Sequence, residues 1–281
     1  MSIIPTGSEA STEEVVADHD LRSQFVQRLI SESSEFAPST YEGLPPPRLL
    51  VQFWDDADHI PLDVQDCINT WASLDQAGFK RLLFDDMTAK RFIENYFDHR
   101  HVLAFERCRH PAMRSDYFRL CFIFKMGGFY VDSDDVYLGE NVETLLSNGR
   151  LKLQPLCYDV ENDSMLDPGT SAVTYAIGAR IFYVNNNPLI ASAGNPIIAD
   201  ALSRATSLVL AGAMNSRDIQ TLTGPGNLTI SLVRHALELQ QCNSPRDFEL
   251  ITNWESIARS QWPLEYRSDD RNWRNWVRGD G

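Results

Sequence analysis

Arg114-Ser-Asp-Tyr-Phe-Arg-Leu-Cys-Phe-Ile-Phe-Lys-Met-Gly-Gly-Phe-Tyr-Val-Asp-Ser-Asp-Asp135 is the stretch on which the fold turns. Pro111, just upstream, suits the first turn of a helix, and Gly127-Gly128 permits the backbone reversal that ends it. A short strand, Phe129-Tyr-Val131, then runs directly into acids, so Asp132 and Asp134 lie at a strand's carboxyl end. On an extended chain, residues two apart project to one side, so Asp132 and Asp134 can face one hard divalent cation while Asp135 points away. Acidic pairs ending a strand are commonly solvated turns or helix caps, and the surroundings decide between the readings. On the preceding helix, Asp116 and Arg119 are spaced i, i+3 and share a face. An exposed pair of this kind contributes at most about 1 kcal/mol. Here the other residues are Tyr117, Phe118, Leu120, Phe122, Ile123 and Phe124, so a charged pair needs a buried reason to be present.

Outward from this segment, strand and helix patterns alternate. Arg48-Leu-Leu-Val-Gln-Phe-Trp54 is an apolar run of strand length that ends at Asp55-Asp56, and Lys80-Arg-Leu-Leu-Phe84 is a second, closed by Asp85-Asp86. Helices are expected around Leu62 to Leu74, Ala89 to Phe97 and Pro111 to Met126. This alternation predicts an α/β fold with a mostly parallel central sheet flanked by helices on both faces, and ligands in such sheets sit at the carboxyl ends of the strands. The proline run Gly43-Leu-Pro-Pro-Pro47 marks a boundary between an acidic N-terminal arm, residues 1–43, and a main domain, residues 44–281. Within the arm, Thr12 to Phe36 reads as an amphipathic helix with Leu21, Phe25 and Leu29 in register, and its non-basic polar face favours packing onto the main domain over membrane binding. Downstream, the run Asn185-Asn-Asn-Pro188 reads as a turn, and Thr223-Gly-Pro-Gly226 as a loop entering a helix, whose first N–H groups are open to an anion.

The chain has 281 residues, with 25 Lys and Arg against 39 Asp and Glu, a formal charge of −14 that excludes a nucleic-acid or anionic-membrane partner held by diffuse charge. Apolar residues make up 43%, enough to fill the core of a domain this long. Cys67, Cys108, Cys121, Cys157 and Cys242 are widely spaced with no C-x-x-C pair, which predicts reduced and mostly buried thiols. No run approaches the roughly 18 apolar residues of a membrane span, and no secretory leader is recognised. His19, His59, His99, His101, His110 and His235 have no metal-ligand spacing, and His99-x-His101 is expected on an exposed turn.

At this point the sequence resembles the DXD-containing sugar transferases of glycosyltransferase family 32 and, more distantly, the large clostridial glucosylating toxins. The signature is an S-D-x-x-R helix followed by G-G-x-Y-x-D-x-D, here Ser115-Asp116-Tyr-Phe-Arg119 and Gly127-Gly128-Phe-Tyr130-Val-Asp132-Ser-Asp134. The resemblance implies a GT-A-like fold and a Mn²⁺ or Mg²⁺ cofactor. It places Asp132 and Asp134 on the metal and the nucleotide diphosphate, Asp116 and Arg119 on the transferred sugar, and Tyr130 along the donor site. Trp54, ending the first strand, resembles the aromatic that lies beside the nucleotide base. Trp71 resembles a packing tryptophan. Asn187-Pro-Leu-Ile-Ala-Ser-Ala-Gly-Asn-Pro196 resembles a segment whose first Asn contacts the donor, with Asn195-Pro196 where the family pattern has His-Pro. Ser260-Gln-Trp262 is similar to an S-x-W whose Ser binds the metal and whose Trp covers the donor, with Ile257 where the pattern carries an acid.

The implied reaction moves a sugar from a nucleoside-diphosphate sugar, UDP- or GDP-linked, with retention of anomeric configuration. The acceptor, whether glycan, small molecule or protein, is left open. Such a transfer needs charge stabilisation more than a strong base, which suits Arg119, a metal and helix dipoles. A phosphohydrolase begins with a similar D-x-D-x-V, but its later catalytic lysine has no counterpart among Lys80, Lys90, Lys125 and Lys152. A nucleotide-sugar hydrolase and a non-catalytic sugar-nucleotide binding protein are the alternatives. The expected setting is a bacterial cytoplasm or a host cell entered as an effector.

Overall fold

The computed structural model describes residues 10–33, 41, 43–169, 178–212 and 219–278, with no side-chain description for residue 33 or for 276–278. Residues 34–36 of the expected N-terminal helix lie outside this set. The arm comprises α1 (Thr12–Ala17) and α2 (His19–Ser33). The main chain then runs β1 (Leu49–Phe53), α3 (Leu62–Thr70), a 3₁₀ segment (Trp71–Ala77), β2 (Lys80–Phe84), α4 (Asp86–Tyr96), α5 (His99–Arg107), α6 (Pro111–Met126) and β3 (Gly128–Tyr130). It continues through β4 (Asp135–Tyr137), α7 (Glu143–Leu146), β5 (Leu151–Asp159), β6 (Ser164–Leu166), β7 (Arg180–Ala191), α8 (Pro196–Leu210), α9 (Ile219–Leu222) and α10 (Pro225–Gln241). The last elements are β8 (Phe248–Leu250), α11 (Trp254–Ile257), β9 (Ala258–Ser260), a 3₁₀ turn (Glu265–Ser268) and α12 (Trp273–Arg278).

The α/β class read from the alternation is the one observed. The central sheet has the order β2-β1-β3-β7-β5-β6, with β8 also pairing β5. Its parallel pairings are β5-β8 and β2-β1-β3, the latter being the region that the sequence described as strand, helix, strand. β7 then enters antiparallel to both β3 and β5. This arrangement positions the site. β1 and β3 run side by side, so Trp54 and Asp132 leave neighbouring strands at the same end of the sheet. Because Tyr130 pairs Leu189 antiparallel, the register carries Asn187 of β7 alongside Asp132. The run Asn185-Asn-Asn-Pro188 is therefore strand, not the expected turn: Asn186 and Asn187 donate to Asp116 and Asp135, and Asn185 to Gln154, so the polar side chains are bonded within the protein.

Gly127 and Gly128 are required by both conformation and space. Their φ values are +68° and +114°, and a Cβ would come within 2.7 Å of the Ala193 amide nitrogen and 2.8 Å of the Leu49 carbonyl oxygen. The helix can therefore turn into β3 against the edge of β1 with no intervening loop. α6 is buried along most of its length, with Phe118 and Phe122 packed against Phe84 and Phe92. The arm is seated on β7. Phe25, Val26, Leu29 and Ile30 join the core, and Ser23 Oγ accepts from the Phe182 amide at 2.9 Å. His99 and His101 lie not on a turn but in the first turn of α5, which Asp98 caps by accepting from the Arg100 and His101 amides. Cys67, Cys108, Cys121 and Cys157 are buried and Cys242 exposed, all as free thiols. Trp71 is fully buried against Phe129, Tyr137 and Trp254, as its assignment to packing requires. Among the described residues no helix is long and apolar enough to cross a membrane.

Candidate active site

The site is built around Arg119, whose side chain is 4% exposed and faces the carboxyl end of β3 from the middle of α6. Its Nη2 lies 3.1 Å from Asp116 Oδ1 and donates to Asp132 Oδ1 at 2.9 Å, joining the helix pair to the acidic turn. The remaining donors are used as well. Nη1 donates to the Asn186 carbonyl at 3.0 Å, Nη2 to Ser115 Oγ at 2.9 Å, and the guanidinium lies 4.4 Å from the centre of the Tyr130 ring. Asp116 is held in turn by Asn186 Nδ2, which donates at 2.8 Å, and by Thr223 Oγ1 at 3.4 Å. Burial pushes the Asp116 carboxyl up to about 6 against the opposing pull of Arg119 and Asn186. The i, i+3 pair of the sequence thus has the buried partners its apolar helix demanded. Thr223 precedes Gly224, the N-cap of α10, so the loop that enters this helix walls the Asp116 side.

Asp132-Ser-Asp-Asp135 forms a tight turn, with the Asp135 amide donating to the Asp132 carbonyl at 3.2 Å, rather than the extended run expected. The turn forms because Asn187 holds both ends. Its Oδ1 accepts from the Asp132 amide at 3.1 Å, and its Nδ2 donates to Asp135 Oδ2 at 2.8 Å. Ser133 anchors the middle by donating to the Phe53 carbonyl at 2.8 Å. Asp135 turns inward, away from the other two acids, as expected, and its Oδ1 is buried without a partner. The Asp135 carboxyl is pushed well above the ordinary range by burial and then by the charges of Asp134 and Asp132. Asp134 is raised by burial and by Asp132.

Asp134 belongs to the other half of the site. β9 pairs β4 with Ser260 opposite Asp135, and the Gln261 amide donates to the Asp134 carbonyl at 2.9 Å. The chain then folds back through the 3₁₀ turn. Tyr266 donates its hydroxyl to Asp134 Oδ2 at 2.6 Å, and Arg267 ion-pairs with the same oxygen. Arg267 Nη2 also donates to Ser260 Oγ at 3.3 Å, and its guanidinium sits 4.3 Å from the centre of the Trp262 ring. Trp262 is 56% exposed.

The structure therefore brings Asp116, Arg119, Tyr130, Asp132, Asp134, Asn187 and Ser260 into one connected cluster, with Trp262 at its rim. Two placements differ from expectation. Tyr130 is fully buried beneath Arg119 and bonded to Ser115 Oγ at 2.7 Å, so it supports the site from behind and does not line it. Trp54, expected beside a base, is 8% exposed and covered edge-on by Tyr266 at 5.2 Å, with its Nε1 buried and unpartnered. Asn195, standing where the resemblance has His, caps α8 through the Ile197 and Ile198 amides, and Ile257 is a core residue. Sequence reading missed Asn186, Tyr266 and Arg267. The polar run 185–187 inside an otherwise apolar stretch was the available signal for Asn186; for the other two the sequence carried none beyond nearness to Ser260-Gln-Trp262.

Among the described residues, no three His, Cys, Asp or Glu side chains are arranged to hold a metal unaided. The donor set nevertheless fits a hard divalent cation. Asp132, Asp134 and Ser260 offer only oxygen, and the crowding of acids that raises Asp134 is the kind of strain a cation relieves.

The family described as "Glycosyltransferase sugar-binding region containing DXD motif" matches residues 61–151, which include α6, β3 and the acidic turn. No curated protein matches the chain. Among solved structures, one titled "PaToxG Glycosyltransferase" is similar at 17% identity and a TM-score of 0.43, over 95% of this chain and 98% of that one. Residues 61–151 thus match the DXD-containing sugar-binding region of glycosyltransferases, and the D-x-D within them is Asp132-Ser133-Asp134.

Proposed function

We propose that the chain is a metal-dependent retaining glycosyltransferase that takes a sugar from a UDP- or GDP-linked donor to a hydroxyl acceptor, residues 44–281 forming the catalytic domain and 1–43 an arm seated on it. The observation that carries the reading is the junction of Asp116, Arg119 and Asp132 at the carboxyl end of β3, a buried cation placed between the acid of a helix and the first acid of the DXD. Asp132 and Asp134, with Ser260, would hold Mn²⁺ or Mg²⁺ together with the donor diphosphate. The cation would act as a Lewis acid on the departing phosphate.

The residues of the chain supply the rest. Arg119, fixed by Ser115 and Asn186, orients Asp132 and brings positive charge to a site that must receive an anionic donor. Asp116, held by Asn186 and Thr223, forms with Arg119 the floor against which the sugar hydroxyls bind. Asn187 sets the turn that presents Asp132 and Asp134 together. Trp54 is the aromatic for the base, and Trp262 the side chain that closes over the donor. A retaining transfer in which the leaving diphosphate accepts the acceptor proton on the same face fits a site whose charged groups are neutralisers.

Thermal-shift screening of nucleoside diphosphates and their sugars, with and without Mn²⁺, tests this reading. A donor at 100 times its Kd adds about 2.7 kcal/mol of stability. The expected result is a shift for one nucleotide-sugar class that is large with Mn²⁺ and small in excess chelator. Equal shifts under both conditions would overturn the metal dependence.

A further inference from the structure

Two positive groups serve the two acids of the DXD, and they differ in how they are held. Arg119 comes from the middle of a buried sixteen-residue helix. Arg267 comes from a four-residue 3₁₀ turn near the C-terminus, on a segment that reaches the site only after β9. That segment is pinned at a few polar points: the Glu265 amide donates to Asp63 Oδ2 at 2.6 Å, and His110 Nε2 meets the Asp270 carbonyl at 2.9 Å. Its apolar contacts are Leu264 and Tyr266 against Trp54, Val64, Cys67 and Ile68, with Trp273 packed on the edge of the main core. Asp134 Oδ2 is taken by Tyr266 and Arg267 at once, and Tyr266 lies edge-on over the one aromatic that the proposed function assigns to the base.

From this arrangement we infer that residues 264–274 form a resident plug in the donor site, in which Arg267 occupies the cation position at Asp134 and Tyr266 covers Trp54, so that a divalent cation and Arg267 compete for one carboxylate. The inference rests on the proposed function for the identity of the incoming ligands. The competition follows from charge. A guanidinium within contact of Asp134 opposes a second positive charge at the same oxygen, and repulsion at a partly buried site is stronger than in water. The segment carries its own means of leaving. Arg267 already lies 4.3 Å from the centre of the exposed Trp262 ring, so the guanidinium keeps that partner when Asp134 is taken from it. Binding is then coupled to opening: the metal frees the turn, and release of Tyr266 uncovers Trp54.

The test is direct titration of Mn²⁺, in the absence of nucleotide, into the full chain and three variants, read by the electron paramagnetic resonance of free Mn²⁺. Arg267→Met is expected to bind Mn²⁺ about tenfold more tightly than the unaltered chain, the scale of one lost neighbouring charge at a partly screened site. Arg259→Met removes a positive charge from the neighbouring strand β9, where the side chain bonds the Glu255 carbonyl and not Asp134; it is expected to change the affinity less than twofold. Tyr266→Phe, the gentler change should Arg267→Met fold poorly, is expected to tighten binding two- to threefold. Mn²⁺ binding to the unaltered chain with no tightening in Arg267→Met or Tyr266→Phe, or with equal tightening in Arg259→Met, would overturn the plug while leaving the metal-dependent transferase standing. Absence of Mn²⁺ binding in every variant would overturn both.

Discussion

The two halves of the DXD turn are built on opposite principles. Asp132 meets a guanidinium that is 4% exposed, comes from a helix packed on all sides, and is tied to Ser115 and Asn186. Asp134 meets one that is 14% exposed and comes from a short turn. The first is part of the scaffold, since an unpaired charge at that depth is costly and the partners of Arg119 are fixed before any ligand arrives. The second is exchangeable, because its anchoring contacts are few and the same side chain has an aromatic alternative. In the proposed transferase, a site that both recognises a diphosphate donor and admits it from water needs both kinds of element.

Removing the scaffold cation is the largest expected effect. Arg119→Leu leaves Asp116 and Asp132 without their common partner and should cost about 3–5 kcal/mol of stability, measured by urea unfolding. A cost as small as that of a surface pair would remove the distinction between the halves. Next in size is a pH limb. With the Asp116 carboxyl at about 6, donor affinity should fall as pH drops below about 6, because the protonated group no longer balances Arg119. The stability sign is opposite. Folding raises this group from about 4, so protonation favours the folded chain, and its contribution declines as pH rises from about 4 to about 6. Comparison of donor Kd against pH in the unaltered chain and in Asp116→Asn checks the assignment, since the variant should lack that limb. The smallest effect is expected from Arg267→Leu, which should cost clearly less unfolding free energy than Arg119→Leu, because Asp134 keeps the bond from the Tyr266 hydroxyl when the guanidinium is gone. A loss matching that of Arg119→Leu would make the C-terminal turn scaffold as well.

The scaffold half was legible in the sequence; of the exchangeable half Asp134, Ser260 and Trp262 were legible but Tyr266 and Arg267 were not, for a physical reason. Asp116 and Arg119 are three residues apart on one helix, and Gly127-Gly128 forces that helix directly into the strand that delivers Asp132, so local geometry already joins them. Arg267 and Asp134 are 133 residues apart in the chain, and their meeting depends on β9 pairing β4 and on the turn that follows. Asn187 falls between these cases. Its side chain was flagged from a resemblance, but the polar run around it was read as a turn because Asn and Pro are turn formers. Only the antiparallel register of β7 shows those amides facing the acids. The same blindness to long-range packing explains Trp54, whose position at the end of β1 was clear while its cover by Tyr266 was not.

Sugar transfer through the DXD turn is the central claim, and turnover of the donor tests it most directly. Release of nucleoside diphosphate from the best-binding nucleotide sugar should be measured with Mn²⁺ and with excess chelator, in the unaltered chain and in Asp132→Asn and Asp134→Asn. The account predicts metal-dependent release in the unaltered chain and a loss of at least about 100-fold in each variant, the scale of removing a main electrostatic contribution to a transition state. Undiminished release in chelator, or full activity in both Asn variants, would contradict it.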